Sequence, residues 1–360
     1  MTTSTCQKRH SLTVIPSSNP NPHDTGTTGP RALSAVQMLR ISVTDVCNLR
    51  CVYCMPEEGV EWLPKSHVLT YEEMRTVVTA AAGMGVTHFK LTGGEPTARR
   101  DLPELVRMLA PIEGVKDLSL TTNGILLAPM LAPLWGAGLR RLTVSLDSLR
   151  PERFSQITRG GDFSRVWSAI EQAVAAGFKV KLNVVAMKGV NEEELADFAH
   201  LTRTMPVTVR YIEFMPLGRS GLTDKPEEAM ITESQIRAAI EGVHGELLPV
   251  ARGTEVGVGP AKVWQLAGAR GRVGFISAMS HPFCDSCNRL RLTPDGLLRS
   301  CLFDGGEVDL KPLLRNPPLN ADGSVADAAE LLTQAFATCT TMKPVTHSGH
   351  GNKGMNRIGG

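Results

Sequence analysis

Three cysteines close together in the sequence could hold a metal cluster. Cys47, Cys51 and Cys54 form a C-x3-C-x2-C pattern within a chain of 360 residues that contains eight cysteines. Three thiolates can hold a four-iron cluster and leave one iron without a protein ligand, which is an open coordination position. A zinc site completed by a fourth ligand, for example His67, is the structural alternative.

A second group of cysteines lies near the C-terminus. Cys284 and Cys287 form a C-x2-C pair, and Cys301 follows after thirteen residues, across a Pro-Asp-Gly turn. This spacing on its own is more typical of a zinc ribbon, whose fourth ligand could be His281 or Cys339. The spacing therefore predicts a metal site but does not choose between zinc and iron.

The composition excludes several classes of protein. With 42% hydrophobic and 21% charged residues, the chain is globular, and eight cysteines are too few for a disulfide scaffold. A net charge of +2 gives no reason to expect a nucleic-acid partner. No run of eighteen apolar residues and no apolar block near the start is present, so we expect a soluble, cytoplasmic protein without a membrane partner.

Six strand-like segments must position the first cysteine group. They alternate with helical patterns, which predicts parallel strands joined by right-handed crossovers. The strand-like segments are MLRISVT, THFKLTG, DLSLTTN, LRRLTVSLD, KVKLNVVAM and VTVRYIEFMP. Polar residues recur at the C-terminal ends of these segments, and no G-x-G-x-x-G follows the first. The pattern favours an α/β fold with a partial (βα)6 barrel over a dinucleotide-binding doubly wound sheet.

The regular alternation of strand-like and helical segments is confined to this region of the sequence. Residues 1–34 are rich in Ser, Thr, Asn and Pro without periodicity, which predicts a disordered N-terminal tail. Residues 35–220 form the predicted partial barrel. Residues 221–360 combine helical and strand-like segments around the second cysteine group, which predicts a smaller C-terminal α+β domain with a Gly-rich end.

Several motifs together resemble one enzyme family. SVTDVCNLRCVYCMP followed by LTGGEPTARRDL resembles the radical S-adenosylmethionine (SAM) enzymes. The further motifs LTTNG, VSLDS, RYIEFMP, CDSCNRLRLTPDG and the closing IGG narrow the resemblance to the GTP 3′,8-cyclase family, from about residue 38 to the C-terminus. The resemblance implies that both cysteine groups bind [4Fe–4S] clusters, which reverses the zinc interpretation of the second group.

The resemblance also implies roles for other residues. Matches to SAM-binding positions are Tyr53, Gly94, Ser145 and Met215. Matches to GTP-binding positions are Arg40, Lys90, Thr121, Lys181, Arg289, Leu290 and Arg291. Core packing would ordinarily explain Met215, and exposure to solvent would ordinarily explain the basic residues. However, Arg40, Lys90 and Lys181 lie within strand-like segments, where unpaired charges are rare. Gly359 and Gly360 match a Gly-Gly tail that enters the active site, although a frayed terminus is the ordinary interpretation.

The activity that the resemblance implies is the first step of molybdenum cofactor biosynthesis. A 5′-deoxyadenosyl radical derived from SAM takes hydrogen from C3′ of GTP, and the C3′ radical attacks guanine C8. An electron donor is required, and the product goes to cyclic pyranopterin monophosphate synthase. We expect a monomer or homodimer.

Two positions depart from the family pattern, which usually has Arg where this chain has Val46 and Lys90. Lysine keeps the charge but cannot make a bidentate contact with phosphate.

Two other functions would also use the two cysteine groups. A different radical SAM enzyme with an auxiliary cluster, such as a peptide-modifying maturase, would be indifferent to GTP. A zinc-binding adaptor would use both cysteine groups structurally, but it leaves the GGEP turn unexplained.

Overall fold

The computed structural model describes residues 12–17, 29–217, 222–223, 225–251, 257–320 and 322–359. The strands are β1 (Val14–Ile15), β2 (Met38–Ser42), β3 (His88–Thr92), β4 (Asp117–Thr122), β5 (Arg141–Ser145), β6 (Lys179–Ala186), β7 (Thr208–Glu213), β8 (Leu247–Pro249), β9 (Lys262–Leu266), β10 (Arg272–Ile276), β11 (Arg289–Leu292), β12 (Leu297–Arg299) and β13 (Glu307–Asp309). The helices are α1 (Tyr71–Gly83), α2 (Leu102–Leu109), α3 (Leu131–Gly136), α4 (Pro151–Thr158), α5 (Phe163–Ala175), α6 (Leu195–Thr204), α7 (Glu233–His244), α8 (Lys311–Arg315), α9 (Ala328–Thr341) and α10 (Met355–Ile358).

The described strands belong to one sheet, in the order β1-β13-β12-β11-β2-β3-β4-β5-β6-β7-β10-β9-β8. The neighbours from β11 through β2–β7 to β10 pair in parallel, and the outer pairs are antiparallel. Eight parallel strands laid flat would span about 34 Å at about 4.8 Å per strand. Side chains from β2–β7, β10 and β11 nevertheless line a single cavity, so this part of the sheet curves around it.

The alternation of side chains along each strand separates the core from the cavity. In β2, Leu39 and Ile41 are fully buried in the hydrophobic core, whereas Met38 and Arg40 face the cavity. Phe89 and Leu91 in β3 repeat the pattern around Lys90. Because side chains alternate with a period of two, one set packs against the helices and the other is left for a ligand.

The N-terminus of α1 shows a local capping motif. In α1, the Thr70 hydroxyl accepts from the Glu73 N–H at 3.1 Å, and the Glu73 carboxylate accepts from the Thr70 N–H at 2.7 Å. This reciprocal capping box satisfies two backbone donors that the helix itself leaves unpaired. Met74, Val77 and Val78 then pack against the sheet as part of the core.

The prediction of six parallel strands separated by helices is confirmed by β2–β7. One predicted helix, over residues 125–138, is shorter than expected. A 3-10 turn spans Ala128–Met130 and α3 begins only at Leu131, since Pro129 lacks the amide hydrogen that a helix interior requires. The helix α4 was not predicted.

The C-terminal strands do not form a sheet of their own. β10 pairs with β7, and β11 pairs with β2, so residues after 220 extend both edges of the barrel sheet. Predicted strands and the hairpin of the C-terminal half are present as β9–β12.

Part of the segment expected to be a disordered tail is packed. Val14 and Ile15 pair with β13, and the Arg31 side chain donates to the Lys343 carbonyl oxygen at 2.8 Å. Leu12 and Leu33 contact the hydrophobic core. The expectation is therefore wrong for residues 12–17 and 29–34, where a few apolar side chains and an exposed sheet edge provide the contacts that composition alone does not reveal.

Candidate active site

A cavity of about 310 Å³ lies inside the curve of the sheet. All six cysteines of the two groups line it, and so do the cationic side chains of β2, β3, β6, β7 and β11. The parallel strands thus bring together two groups of three cysteines that are more than 200 residues apart in the sequence. Both cysteine groups and the cations therefore share one cavity, which could hold two metal centres and a charged ligand.

The first group, which we call the first triad, is Cys47, Cys51 and Cys54 in the loop after β2. Cys54 N–H donates to the Cys51 carbonyl oxygen at 2.9 Å, and this turn brings the two thiols together. Burial raises the pKa of Cys47 to about 11 and that of Cys54 to about 12, and it raises the pKa of Cys51 well above its usual range. A metal must therefore displace protons to bind here, as thiolate ligation requires.

The GGEP turn packs directly against this loop. A Cβ atom at Gly94 would lie 2.4 Å from the Asp45 carbonyl oxygen, and one at Gly93 would lie 2.5 Å from the Thr44 carbonyl oxygen. The Gly94 N–H donates to the Thr44 carbonyl oxygen at 2.7 Å. Because only glycine fits so close to another backbone, these residues hold the end of β3 against the first triad.

Glu95 links this turn to β4. Its buried carboxylate accepts from the Thr122 hydroxyl at 2.6 Å and from the Asn123 N–H at 2.6 Å. Asn123 in turn directs its side-chain amide toward the Cys47 sulfur at 3.9 Å. Burial raises the pKa of Glu95, although the hydrogen bonds to its carboxylate oppose that effect. Glu95 thus holds Asn123 in position, and the Asn123 side chain contacts the first triad.

Tyr53 is held by a buried carboxyl group. The Tyr53 hydroxyl donates to Asp147 at 2.7 Å, and the other Asp147 oxygen accepts from the Val185 N–H at 2.8 Å. Burial raises the pKa of Asp147 to about 6, against the opposing effect of these hydrogen bonds. Asp147 lies in the VSLDS motif. The resemblance indicates Ser145 of this motif as a SAM contact, but Asp147 is not among the predicted site residues.

The residues expected to bind SAM lie around the same cavity. Tyr53, Gly94, Ser145 and Met215 all line it, together with the first triad. They come from the loop after β2 and from the ends of β3, β5 and β7, which meet because the strands are parallel.

The second group, which we call the second triad, is Cys284, Cys287 and Cys301. Burial would raise the pKa of Cys287, but Arg289 and Lys343 outweigh it and lower the pKa, whereas burial raises the pKa of Cys284 and Cys301. The Lys343 ammonium donates to the Cys287 carbonyl oxygen at 2.7 Å. The second triad therefore lies in a more cationic environment than the first.

The chemistry of the donors fits iron–sulfur clusters. Within the described ranges, no three His, Cys, Asp or Glu side chains are arranged as ligands of one metal ion. A cubane cluster does not require that arrangement, because each cysteine binds a different iron. The side chains considered for zinc, His67, His281 and Cys339, do not line the cavity.

A row of cations crosses three neighbouring strands of the sheet and lines the same cavity as the triads. Arg291 is directly opposite Arg40, and Arg40 is directly opposite Lys90, on three neighbouring strands. Like charges in this arrangement repel one another. Burial and the neighbouring cations lower the pKa of Arg40 to about 9, and they hold the pKa of Lys90 and Arg291 well below the usual ranges. Such a row is stabilised by a polyanionic ligand.

Further side chains complete this cationic region. Lys90 donates to Thr121 at 3.3 Å and to Thr143 at 3.1 Å, and Arg210 donates to Thr143 at 3.1 Å. Lys181, Arg210 and Arg289 line the cavity as well. Arg210 is not among the residues that the resemblance indicates, although it is an arginine inside an apolar strand, as Arg40 is.

Leu290 and the tail residue Gly359 do not line the cavity with a side chain, unlike the other predicted GTP-binding residues. The side chain of Leu290 is fully buried in the hydrophobic core, on the face of β11 opposite to Arg289 and Arg291, so only its backbone is available to a ligand. Gly359 lies beside the cavity, where its carbonyl oxygen accepts from Arg291 and a Cβ would lie 2.6 Å from Thr92. Gly360 and Cys6 lie outside the described residues.

Comparison with known proteins covers almost the whole chain. Residues 41–202 match the model of the radical SAM superfamily, and residues 207–348 match that of Molybdenum Cofactor Synthesis C. A protein of Pelotomaculum thermopropionicum named GTP 3′,8-cyclase is 45% identical over 326 residues, which is 90% of this chain and 98% of that protein. A protein of the same name from Heliobacterium modesticaldum is 42% identical over 332 residues, with the same two coverages.

A similar fold is found in Streptococcus suis SuiB, solved with S-adenosylmethionine bound. The TM-score is 0.56 at 16% identity, and the match covers 83% of this chain and 65% of that one. None of the helices in the described parts of the chain has the length and apolar character needed to span a membrane.

Proposed function

This chain belongs to the GTP 3′,8-cyclase family, and from that premise we propose that it converts GTP into (8S)-3′,8-cyclo-7,8-dihydroguanosine 5′-triphosphate. This reaction is the first step of molybdenum cofactor biosynthesis. The observation that carries the proposal is the row of buried cations in the cavity that both cysteine triads line, because a triphosphate is the kind of ligand that such a row requires.

The cofactors of the family are two [4Fe–4S] clusters and SAM. In our proposal, the first triad holds the cluster that binds SAM, and the second triad holds the cluster that faces the guanine. Tyr53, Gly94, Ser145 and Met215 hold SAM. When bound, the first cluster and SAM supply a one-electron cleavage that makes hydrogen abstraction from C3′ of GTP possible.

The chain's own residues bind and orient the nucleotide. Arg40, Lys90, Lys181, Arg289 and Arg291 neutralise the triphosphate, Thr121 donates a hydrogen bond, and Leu290 contributes through its backbone. We add Arg210 to this group because it shares Thr143 with Lys90. With SAM and GTP bound, the filled cavity excludes water and stray reductants from the reacting carbon.

The tail completes the site in this proposal. Gly359 is anchored by Arg291 beside the cavity, and we assign it a catalytic role together with Gly360. The electron donor is a separate reductant, and cyclic pyranopterin monophosphate synthase consumes the product. We propose that the chain acts in the cytoplasm as a monomer or homodimer.

The test is the double substitution Arg289→Ala and Arg291→Ala. Each charge-assisted hydrogen bond contributes about 1.5–3 kcal/mol, so the affinity for GTP should fall by at least about 100-fold, measured by anaerobic calorimetry. Cleavage of SAM without GTP should persist, because neither arginine belongs to the residues that hold SAM. The exposed Arg165→Ala serves as the control. Unchanged affinity for GTP in the double variant would contradict the assignment.

A further inference from the structure

The C-terminal segment, residues 346–356, extends from the second triad to the first. At one end, the His347 ring stacks on Phe303, two residues after Cys301, and His347 lines the cavity together with the second triad. At the other end, Asn356 lines the same cavity as Cys54, and its backbone opposes the rise in the pKa of Cys54 that burial causes. One short stretch of chain therefore extends along the cavity between the two triads.

Both halves of the molecule hold this segment in place. The Gly351 N–H donates to the Pro216 carbonyl oxygen at 3.2 Å, after the last barrel strand. The Asn352 side chain accepts from Arg299 at 2.9 Å and donates to Asp304 at 3.0 Å. The Arg357 side chain donates to the Glu61 carbonyl oxygen at 2.9 Å, in the stretch between the first triad and α1. The position of Asn356 is therefore determined by contacts on both sides.

The side chain of Asn356 has an unused donor. Asn356 is 3% exposed and lines the cavity, and its Nδ2 atom has no hydrogen-bond partner among the described residues. A buried amide donor without a partner is costly, so its presence indicates an acceptor that binds in the cavity. Cys54 lines the same cavity, and the neighbouring Arg357 contacts the loop that follows the first triad.

The other side of the first triad has the same kind of contact. The Cys47 sulfur accepts from the Leu49 N–H at 3.5 Å, and the Asn123 side-chain amide lies 3.9 Å from it. Asparagine amides and backbone N–H groups thus approach the first triad from two separate segments. Hydrogen bonds to the sulfur atoms are among the features that set the reduction potential of an iron–sulfur cluster.

We propose that Asn356 is a positioning residue for the first cluster, with its backbone N–H donating to the Cys54 sulfur and its side-chain amide donating to a sulfur atom of the cluster itself. This inference rests on the proposed function, since it requires an iron–sulfur cluster at the first triad. Donors to sulfur stabilise the more negative reduced state, so Asn356 makes the first cluster easier to reduce.

The test is Asn356→Leu in the full-length protein with both clusters. Leucine has the same branching at Cγ, although it is larger, and it lacks the side-chain donor. The reduced protein is followed by electron paramagnetic resonance at a fixed potential, and the component that shifts on addition of SAM identifies the first cluster. We expect the ratio of reduced to oxidised first cluster to fall about tenfold, which equals about 59 mV for one electron.

Two controls separate this role from a general loosening of the segment. Arg357→Gln removes a tether of the same helix without touching the cavity, and it should leave the ratio unchanged. Water entering a loosened site would stabilise the reduced state and raise the ratio, which is the opposite direction. If Asn356→Leu loses iron, the smaller Asn356→Val also removes the donor without adding a charge, and it should lower the ratio in the same way.

A ratio that is unchanged or higher in the variant that retains its cluster would overturn the inference. If the wild-type protein holds no iron and sulfide at the first triad, the proposed function fails instead. The iron and sulfide content of the wild-type protein therefore distinguishes the two failures.

Discussion

Removing the charge of Lys90 should stabilise the protein and weaken its binding of GTP. Lys90 is 5% exposed and lies beside Arg40, and its pKa is held well below the usual range by burial and by neighbouring cations. In the variant Lys90→Met, the stem remains and the charge is lost. A residue that serves only the fold would not show both effects.

The magnitude of the stability change follows from two opposing contributions. Replacing buried charges by apolar groups of similar volume is often stabilising, by about 1–4 kcal/mol. The hydroxyls of Thr121 and Thr143 lose their contacts to Lys90, at a cost of about 0.5–1.5 kcal/mol each. We expect a net stabilisation of about 1–2 kcal/mol, because repulsion among like charges places the gain at the upper end of its range. At about 2.1 cal/mol/K of unfolding entropy per residue, this raises the melting temperature by about 1–3 °C.

The effect on GTP has the opposite sign. Loss of one charge-assisted contact to phosphate, about 1.5–3 kcal/mol, weakens binding by about 10- to 150-fold. The assay is anaerobic thermal unfolding of the holoenzyme with and without GTP, supported by calorimetric titration. The variant should melt higher than wild type without GTP and gain less from added GTP.

The control for this experiment is Lys179→Met, an exposed lysine on β6 of the same sheet. It should change neither the melting temperature nor the affinity. If Lys90→Met lowers the melting temperature and leaves GTP binding intact, Lys90 serves the fold and does not bind the triphosphate.

Two further predictions concern residues that position the triads. Asp147 has a pKa of about 6 in the folded chain and 3.8 as its ordinary value, so the folded state binds the proton more tightly. Its contribution to stability, about 3 kcal/mol, is present below about pH 4 and lost as the pH rises through 6. Relative to Asp147→Asn, the wild-type melting temperature should therefore fall from pH 5 to 7, and parallel curves would contradict this. Glu213 accepts from the N–H groups of Glu233, Met279 and Ser280 at 2.8–2.9 Å and so fixes the loop before Cys284. Glu213→Gln should lose about half of its iron, about four of eight atoms, faster than wild type under a chelator while still cleaving SAM. The exposed Glu228→Gln is the control, and equal iron retention in all three proteins would contradict the role of Glu213.

The parts of the site that come from long, periodic segments could be predicted from the sequence. Strands β2–β7 have apolar alternation over five to eight residues each, and the cations among them, such as Arg40 and Lys90, are conspicuous against that pattern. The spacing within each triad is local, so it is visible without any knowledge of the fold.

The rest depends on contacts between distant segments. Strands β1, β8 and β13 contain only two or three residues each, too few for a pattern to be recognised. The pairing of β11 with β2 and of β10 with β7 joins residues far apart in the chain, so the continuous sheet could not be read from local periodicity. The contact of Asn356 with Cys54 has the same origin, since a Gly-rich end ordinarily predicts a frayed terminus.

The most direct test of the account is one anaerobic preparation. The protein is assayed for iron and sulfide, and it is then incubated with SAM, GTP and a strong reductant while 5′-deoxyadenosine and the cyclised nucleotide are followed. We predict about eight irons per chain, since two cubane clusters need four each, together with both products. Zinc without sulfide would contradict the central claim and leave only the fold, and 5′-deoxyadenosine without cyclised GTP would contradict the substrate.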